Sequence, residues 1–540
     1  MTGEGRSTSG PSSRSADYRR LWLLVFVFCV VIYTVNLESL QIGQHVDDGV
    51  YVSLGRSLIS GLGYVRFEDP AHPAEPQYPP ALAYLIAVVL ALSGGSVRAL
   101  RLIPLLFSLA SLPLAYRFFV RRIPSQLGAV RHTWAAVLLA LFGLNHLIVG
   151  YAGMIMTEAP FVFLTLAAIV WLDRLDGCSR SIDGRLQAGS SRPAPSVGWS
   201  LGMAALLALC CLMRTAAYAY VIAVALWLWF TRRRQAAVAV TALTSLMLIP
   251  WLVAQHQSTG AWFGGGYVAD ILGQGHTFWH PLMRPVENLV VYCIELLPAA
   301  LLPFFGDQVA AVAGRLHISW LPPVMGLSVT GLVIAGAWWR RSVKSDPAVY
   351  LCGALGVVLL VWSYRYTRFC LPLVPLCLIY LLTSAAHLSR PLAPRGATPS
   401  RPVWPWLLAA ITLLGFVARD VHMLYRPPRR NYTDLQAVAR FVEIHTPAEA
   451  TIITPAPCSL AVYTERSFVD LLPPKHPSSL SVPEPSELLS RTAAYLPRYV
   501  CIYPFRVDEP LDAPDFLGHP PFRLRARDDQ LGAVIYAVQP

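Results

Sequence analysis

Thirteen times along its length this chain enters an apolar stretch, and these stretches are of roughly the length that crosses a bilayer as a helix, about 17 to 25 residues. The first runs from Leu21 to Val35. Pro79 to Leu92, Leu100 to Val120, Trp134 to Tyr151, Phe161 to Leu172, Trp199 to Met213, Ala216 to Phe230 and Ala236 to Ala254 follow. The remaining five are Leu289 to Phe305, Ile318 to Trp339, Ala348 to Trp362, Phe369 to Ala386 and Val403 to Ala418. With 55% hydrophobic and only 14% charged residues in 540, the chain reads as an α-helical polytopic membrane protein of about 11 to 13 transmembrane helices.

The formal charge of +12 does not indicate a nucleic-acid partner. Its arginines are dispersed as Arg19-Arg20, Arg121-Arg122, Arg232-Arg233-Arg234 and Arg340-Arg341, each beside an apolar segment, where cytoplasmic anchoring charges belong. Such groups also suit contact with anionic lipid. If all thirteen segments crossed, some Arg-rich loops would lie outside. Letting Pro79 to Leu92 and Leu289 to Phe305 stay interfacial or re-entrant puts Arg121, Arg174, Arg232, Arg340 and Arg390 on the cytoplasmic side, and Asp48 and Glu158 together on the outer side. Eleven crossings follow from that rule.

Residues 1–20 are polar and read as a cytoplasmic, disordered N-terminus ahead of an uncleaved anchor, because no small-residue cleavage pattern follows it. Residues 21–425 form the membrane domain, with a first outer loop at 39–78. After the Arg426-Pro427-Pro428-Arg429-Arg430 linker, residues 431–540 have ordinary soluble composition. Thr433 to Gln436 fits a capping box for a helix carrying Leu435, Val438 and Val442 on one face. Thr451 to Ile453, Tyr499 to Tyr503 and Ala533 to Val538 read as strands, so a small C-terminal α/β extracytoplasmic domain is expected. Seven of the ten cysteines lie in apolar segments as packing groups. Cys458 and Cys501 fall in the tail, where an oxidising compartment would permit a disulfide.

Four groups of residues can carry chemistry. Asp47 and Asp48 open a segment whose Val50, Leu54 and Leu58 suit a surface helix, and the helix N-terminus favours their ionised form. Glu158, between two apolar segments, is either a costly acid at membrane depth or a cap for the helix that holds Pro160 in its first turn. Arg214, Arg365 and Arg368 lie at depth, and each fits either phosphate binding or a snorkelling helix end. His276 and His280 share a helical face by spacing, but no acidic or thiol ligands accompany them, and no metal is assigned. No cofactor is called for; a divalent cation is compatible but nothing indicates one.

The order of these motifs resembles the membrane-embedded glycosyltransferases of the GT-C type, in particular the protein mannosyltransferase and aminoarabinose transferase branch (glycosyltransferase family 39-like). Asp47-Asp48-Gly49-Val50-Tyr51 resembles that family's acidic first-loop motif, and Gln77-Tyr78-Pro79-Pro80 its Lys-Tyr-Pro-Pro motif, with Gln77 in place of the lysine. Met156-Thr157-Glu158-Ala159-Pro160-Phe161 is similar to its second acidic loop, where Glu stands in place of a frequent Asp. Arg368 to Pro375 resembles its late Arg-Tyr-Leu-Leu-Pro stretch. Together they cover residues 20 to 390.

The resemblance implies an inverting glycosyltransferase, a hexosyl- or pentosyltransferase, that moves a sugar from a polyprenyl-phosphate donor to the hydroxyl of a lipid, glycan or protein acceptor. The reaction would take place at the outer face of the plasma membrane. Asp47 would be the general base, Asp48 or Glu158 would orient acceptor or sugar, and Arg368 or Arg365 would contact phosphate. Tyr51, Gln77, Tyr78 and Arg214 complete the expected substrate-binding set. The rival reading is a polytopic transporter or flippase, but carriers place coupling charges near the midplane and often show duplicated halves.

Overall fold

The computed structural model describes residues 11–538, except 125–126, 128–129, 178–194, 261, 263–278, 306, 341–345, 389–402, 426–430, 472–497 and 505–521. Among the described residues, five helices are long and apolar enough to cross a membrane: Val97–Arg122, Arg234–Ser258, Leu321–Arg340, Thr367–Leu388 and Pro405–Tyr425. Shorter apolar helices at Arg20–Val35, Pro80–Leu92, Val197–Met213, Thr215–Phe230 and Pro347–Val361 pack with them. Leu24, Ile222, Val238, Leu246 and Trp338 are more than half exposed on the outside of this bundle. A face of that composition is stable against lipid rather than water.

One end of the bundle is closed by a buried ion network. The Arg122 guanidinium donates to both oxygens of Asp173 at 2.8 Å and to Asp346 Oδ1 at 2.7 Å. Arg340 donates to the Arg122 carbonyl at 2.8 Å, and Arg233 to the Leu175 carbonyl at 3.0 Å. Asp346 also caps the Pro347–Val361 helix through the Ala348 N–H. Arg122, Arg233 and Arg340, from three of the arginine clusters beside the apolar segments, are therefore gathered at one end. Glu158 starts the Glu158–Gly177 helix that Asp173 nears the end of. At 1.5 Å per residue the two acids stand about 22 Å apart along the axis, so Glu158 lies at the opposite end.

Two segments expected not to cross begin and end near Glu158. Tyr78, just before the Pro80–Leu92 helix, bonds Asp47, whereas Arg101, just after it, donates to the carbonyls of Leu40 at 2.7 Å and Gly153 at 3.4 Å. The helix of 13 residues is about 20 Å long, short of the ~30 Å hydrocarbon core. Residues 289–305 leave from Glu287, which pairs with Arg365, and touch the middle of the Leu321–Arg340 helix where Thr330 donates to the Cys293 carbonyl at 2.6 Å. They return to Pro303, whose carbonyl accepts from Arg419. A π-helical turn at Tyr292–Leu296 lies between the helices that end at Val291 and begin at Leu297.

The tail holds one mixed sheet in the order β2-β1-β3-β5-β4, formed by β1 (Thr451–Thr454), β2 (Ser467–Asp470), β3 (Arg498–Ile502), β4 (Phe522–Asp528) and β5 (Ala533–Val538). β1 pairs parallel with β2 and β3, and β5 pairs antiparallel with β3 and β4. Leu435, Val438, Val442, Ile452, Phe468, Cys501 and Ile535 form its core. The Leu435–His445 helix is capped by Asp434, which accepts from Gln436 and Ala437, rather than by the expected Thr433. The Thr433 hydroxyl instead donates to the Pro504 carbonyl. Cys458 and Cys501 are both buried and unpaired, so the disulfide that the tail's position would permit is not formed.

Candidate functional site

Asp47 and Asp48 start the Asp47–Ile59 helix, whose Val50, Leu54 and neighbours are buried. The two acids part company at once. Asp48 is 2% exposed and turns inward, accepting backbone N–H bonds from Gly43 at 2.7 Å, His45 at 3.1 Å and Gly49 at 3.0 Å. Burial lifts its carboxyl from 3.8 to about 7, against the lowering effect of those three N–H groups. Asp47 turns the other way, with a third of its side chain exposed. Its Oδ1 accepts from the Tyr78 hydroxyl at 2.8 Å and its Oδ2 from Arg368 Nη2 at 3.3 Å.

Arg368 sits on a 3₁₀ turn, Thr367–Leu373, kept from α-helical continuation by Pro372. Its Nε lies 3.5 Å from Glu158 Oε1, a charge contact without the alignment of a hydrogen bond. The Arg368 charge also acts on the Tyr151 hydroxyl. One guanidinium thus meets Asp47 and the segment from Tyr151 to Glu158, so that with Arg368 itself three separate parts of the chain come together. Arg214 reaches Glu158 Oε1 from a fourth part, at 3.1 Å. Its backbone is extended where the Val197–Met213 helix stops, which aims the side chain across the bundle. The Phe369 ring lies beneath both guanidiniums, 4.9 Å from Arg214 and 5.4 Å from Arg368, a cation–π arrangement that holds them apart.

Glu158 is 2% exposed, and its Oε2 has no hydrogen-bond partner among the described residues. It lines a cavity of about 10 Å³ with Ser108, Ser111 and Tyr151, space for about one water molecule. Tyr51 is buried and packs edge-on against Tyr78 at 5.2 Å, while the Tyr64 hydroxyl donates to the Tyr78 carbonyl at 2.8 Å.

The expected residues fall into two sets. Asp47, Glu158, Arg368, Arg214, Tyr78 and, through Tyr78, Tyr51 converge. Arg365 does not join them: its Nη2 is 2.6 Å from Glu287 and its Nε 2.6 Å from Asn288 Oδ1, on the Trp279–Val291 helix. Gln77 is exposed, with no bond to the converging set. Asp48 faces backbone instead of Arg368.

The structure adds two residues. Tyr151 opens the segment that leads to Glu158. His45 precedes Asp47 by two residues, and its Nε2 is buried without a hydrogen-bond partner. Burial holds the imidazole below its ordinary value, as does the Arg368 charge, with Asp47 and Glu158 opposing. Its position two residues before Asp47 is a sequence signal for its place in the site. Among the described residues, no group of three or more His, Cys, Asp or Glu side chains is gathered as a metal would require, and His276 lies outside the described residues.

The backbone is similar to that of ArnT from Cupriavidus metallidurans, solved with undecaprenyl phosphate bound. The TM-score is 0.57 over 96% of this chain and 98% of that one, at 14% identity. It is also similar to the Archaeoglobus fulgidus oligosaccharyltransferase in its apo form, with a TM-score of 0.53, 13% identity, and 89% of this chain against 69% of that one. AglB from the same organism, in complex with an inhibitory peptide and a dolichol-phosphate, gives a TM-score of 0.51 at 12% identity, with the same coverage. These are GT-C glycosyltransferase structures, and the chain has their fold. With its apolar helices, that fold defines an integral membrane protein. No family model and no curated protein matches the sequence.

Proposed function

We propose that the chain is an inverting glycosyltransferase that takes a sugar from a polyprenyl-phosphate carrier and gives it to an acceptor hydroxyl at the outer membrane face. The observation that carries this reading is the single guanidinium of Arg368 shared by Asp47 and Glu158. Arginine's planar fork matches a phosphate, and a phosphodiester approaching Arg368 would compete with Asp47 for it. Asp47 Oδ2 would then be free to act as a base. The Asp47 carboxylate takes the acceptor's proton as the acceptor oxygen attacks the anomeric carbon. The bond from that carbon to the carrier phosphate breaks on the opposite face, and the phosphate leaves with the electron pair. Arg368 and Arg214 steady that leaving charge.

Glu158 holds both arginines, Asp48 holds the loop, and Tyr78 with Tyr51 orients Asp47. Eleven crossings, a cytoplasmic N-terminus and an extracytoplasmic tail at 431–540 complete the reading. Arg365 belongs to the packing of the Trp279–Val291 helix in this scheme, and the carrier phosphate goes to Arg368. Lipid, glycan and protein hydroxyls all suit the chemistry.

Purified protein in lipid nanodiscs, given a panel of prenyl-phosphate-linked hexoses and pentoses with mixed cell-envelope acceptors, should release carrier phosphate from at least one donor. A folded preparation that turns over none of them favours the transporter reading instead.

A further inference from the structure

The turn that delivers Asp47 is strained. Val46 has φ 42° and ψ −55°, and the Asp47 N–H donates to the carbonyl of His45 two residues back. This is a γ-turn of the rare, positive-φ kind, centred on a β-branched residue that avoids such angles. A conformation of this sort persists only where its surroundings over-determine it. Asp48 supplies one restraint through its three N–H bonds. The others come from the tail.

Gly43, at φ +88°, and Gly49 flank the turn and lie directly on the backbone of the Pro457–Ala461 helix. A Cβ at Gly43 would stand 2.8 Å from the Ser459 carbonyl oxygen, and one at Gly49 would stand 2.9 Å from the Cys458 carbonyl carbon. Hydrogen bonds surround this contact. The Tyr463 hydroxyl donates to the Ile42 carbonyl at 2.8 Å, and the Gln41 amide spans the Thr433 carbonyl at 3.0 Å and the Leu435 N–H at 2.9 Å. Arg56, in the last turn of the Asp47–Ile59 helix, donates to the carbonyls of Ala461 and, at 3.0 Å, Val462. Beyond that helix, Glu68 accepts from the Phe468 N–H at 2.8 Å and from the Cys458 thiol at 2.7 Å. The segment before Asp47, the helix after it and the loop that follows are all fixed to the same edge of the tail.

We propose that the C-terminal domain is part of the transfer machinery: it clamps the turn at 45–47 and so sets the position of Asp47 against Arg368. Arg56 and Tyr463 are then positioning residues that act through the turn. The catalytic half of this proposal rests on reading Asp47 as the base, but the clamp can be measured without it.

The test uses full-length Arg56→Ala, Arg56→Lys and Tyr463→Phe in nanodiscs, with amide hydrogen exchange over residues 41–50 and carrier-release kinetics on each. Tyr463→Phe removes one hydroxyl and keeps the ring, so it guards against a general failure to fold. Arg56→Ala and Tyr463→Phe are expected to speed exchange at 43–50 by tenfold or more. They should also lower kcat about tenfold, with the donor KM within twofold of wild type. Arg56→Lys, which still reaches one carbonyl, should recover most of both. Unchanged exchange would show that the tail does not hold the turn, and faster exchange with wild-type kcat would show that the held turn does not matter to catalysis. If wild-type protein turns over no donor, the transferase reading falls with the catalytic half, and exchange alone decides the clamp.

Discussion

Asp47→Asn separates the two things that Asp47 does. The amide is nearly isosteric, and its oxygen can still accept the Tyr78 hydroxyl bond seen at 2.8 Å. Its NH₂ would face Arg368 Nη2, now 3.3 Å from a carboxylate oxygen, so the ion pair is lost and the base with it. The stability cost is small. Side-chain exposures of 34% for Asp47 and 19% for Arg368 leave the pair partly screened, and such pairs contribute about 1 kcal/mol or less. The catalytic cost is large, because a general base supplies about a hundred- to ten-thousand-fold, or about 3 to 5 kcal/mol of activation free energy. Donor affinity should hold or tighten, since Arg368 loses a competitor for phosphate. The assay is single-turnover carrier release at saturating donor, alongside thermal unfolding. The expected result is a rate down at least a hundredfold, an unfolding midpoint close to wild type and a donor KM no higher than wild type. A rate within threefold of wild type would remove Asp47 as the base; a raised KM with unchanged kcat would make it a binding residue.

Four further outcomes follow from the same geometry. Glu158→Gln leaves Arg214 and Arg368 without their shared buried carboxylate, and loss of one partner of a buried pair costs about 3 to 5 kcal/mol; thermal unfolding should fall and donor KM rise together. Arg368→Lys cannot span Asp47, Tyr151 and Glu158 with one point charge, so donor KM should rise at least tenfold, whereas Arg365→Lys, at the Glu287 and Asn288 contacts, should leave it unchanged. The Asp48 carboxyl is raised from 3.8 to about 7, so between those values the folded chain keeps a proton that the unfolded chain has released. Its contribution to stability therefore declines as pH climbs from about 4 to 7 and levels off above, and Asp48→Asn should remove that slope from unfolding midpoints taken at pH 5 and 7.5. Arg122→Gln leaves Asp173 with only the longer Arg121 contact at 3.7 Å and Asp346 with Arg340 at 3.6 Å, and should lower the unfolding midpoint while the folded fraction keeps its donor KM.

The convergence of Asp47 and Glu158 was legible because a bilayer permits few charges at depth and the positive-inside tendency put both acids at one end. The two segments expected not to cross were marked in the sequence by two prolines opening one and by Glu295 and Pro298 inside the other. Other details depend on angles that side-chain chemistry does not encode. Asp47 and Asp48 are neighbours of one type, and the γ-turn at Val46 helps decide which faces Arg368. Arg365 and Arg368 are three apart, and which one meets the acids depends on the 3₁₀ turn that begins at Thr367. β2 is four residues long, and β4, Phe-Arg-Leu-Arg-Ala-Arg-Asp, is a mostly exposed edge strand, so neither offers the apolar run that marks β1 and β5. Cys458 looked like half of a disulfide because nothing near it in sequence announces Glu68, 390 positions away.

The bundle carries two arginine–carboxylate networks, and the contrast between them argues for chemistry at one end only. Around Arg122 the bonds are short and paired: both Asp173 oxygens are engaged at 2.8 Å, Asp346 takes three contacts from the same guanidinium, and Asp346 also caps a helix. A closed arrangement of this kind has no acceptor left for a ligand and serves to lock three chain segments. Around Arg368 the distances are 3.3 and 3.5 Å, Asp47 is a third exposed, and Glu158 Oε2 and His45 Nε2 are buried without hydrogen bonds. Burying polar atoms without partners costs free energy that packing alone would have removed, and two such atoms, Glu158 Oε2 and His45 Nε2, lie around an arginine suited to phosphate. The same acids and arginine would be satisfied by a bound phosphodiester and an incoming hydroxyl. Donor binding should therefore raise the unfolding midpoint of the wild-type protein, and do so far less in Arg368→Lys; an equal rise in both would place the carrier phosphate elsewhere.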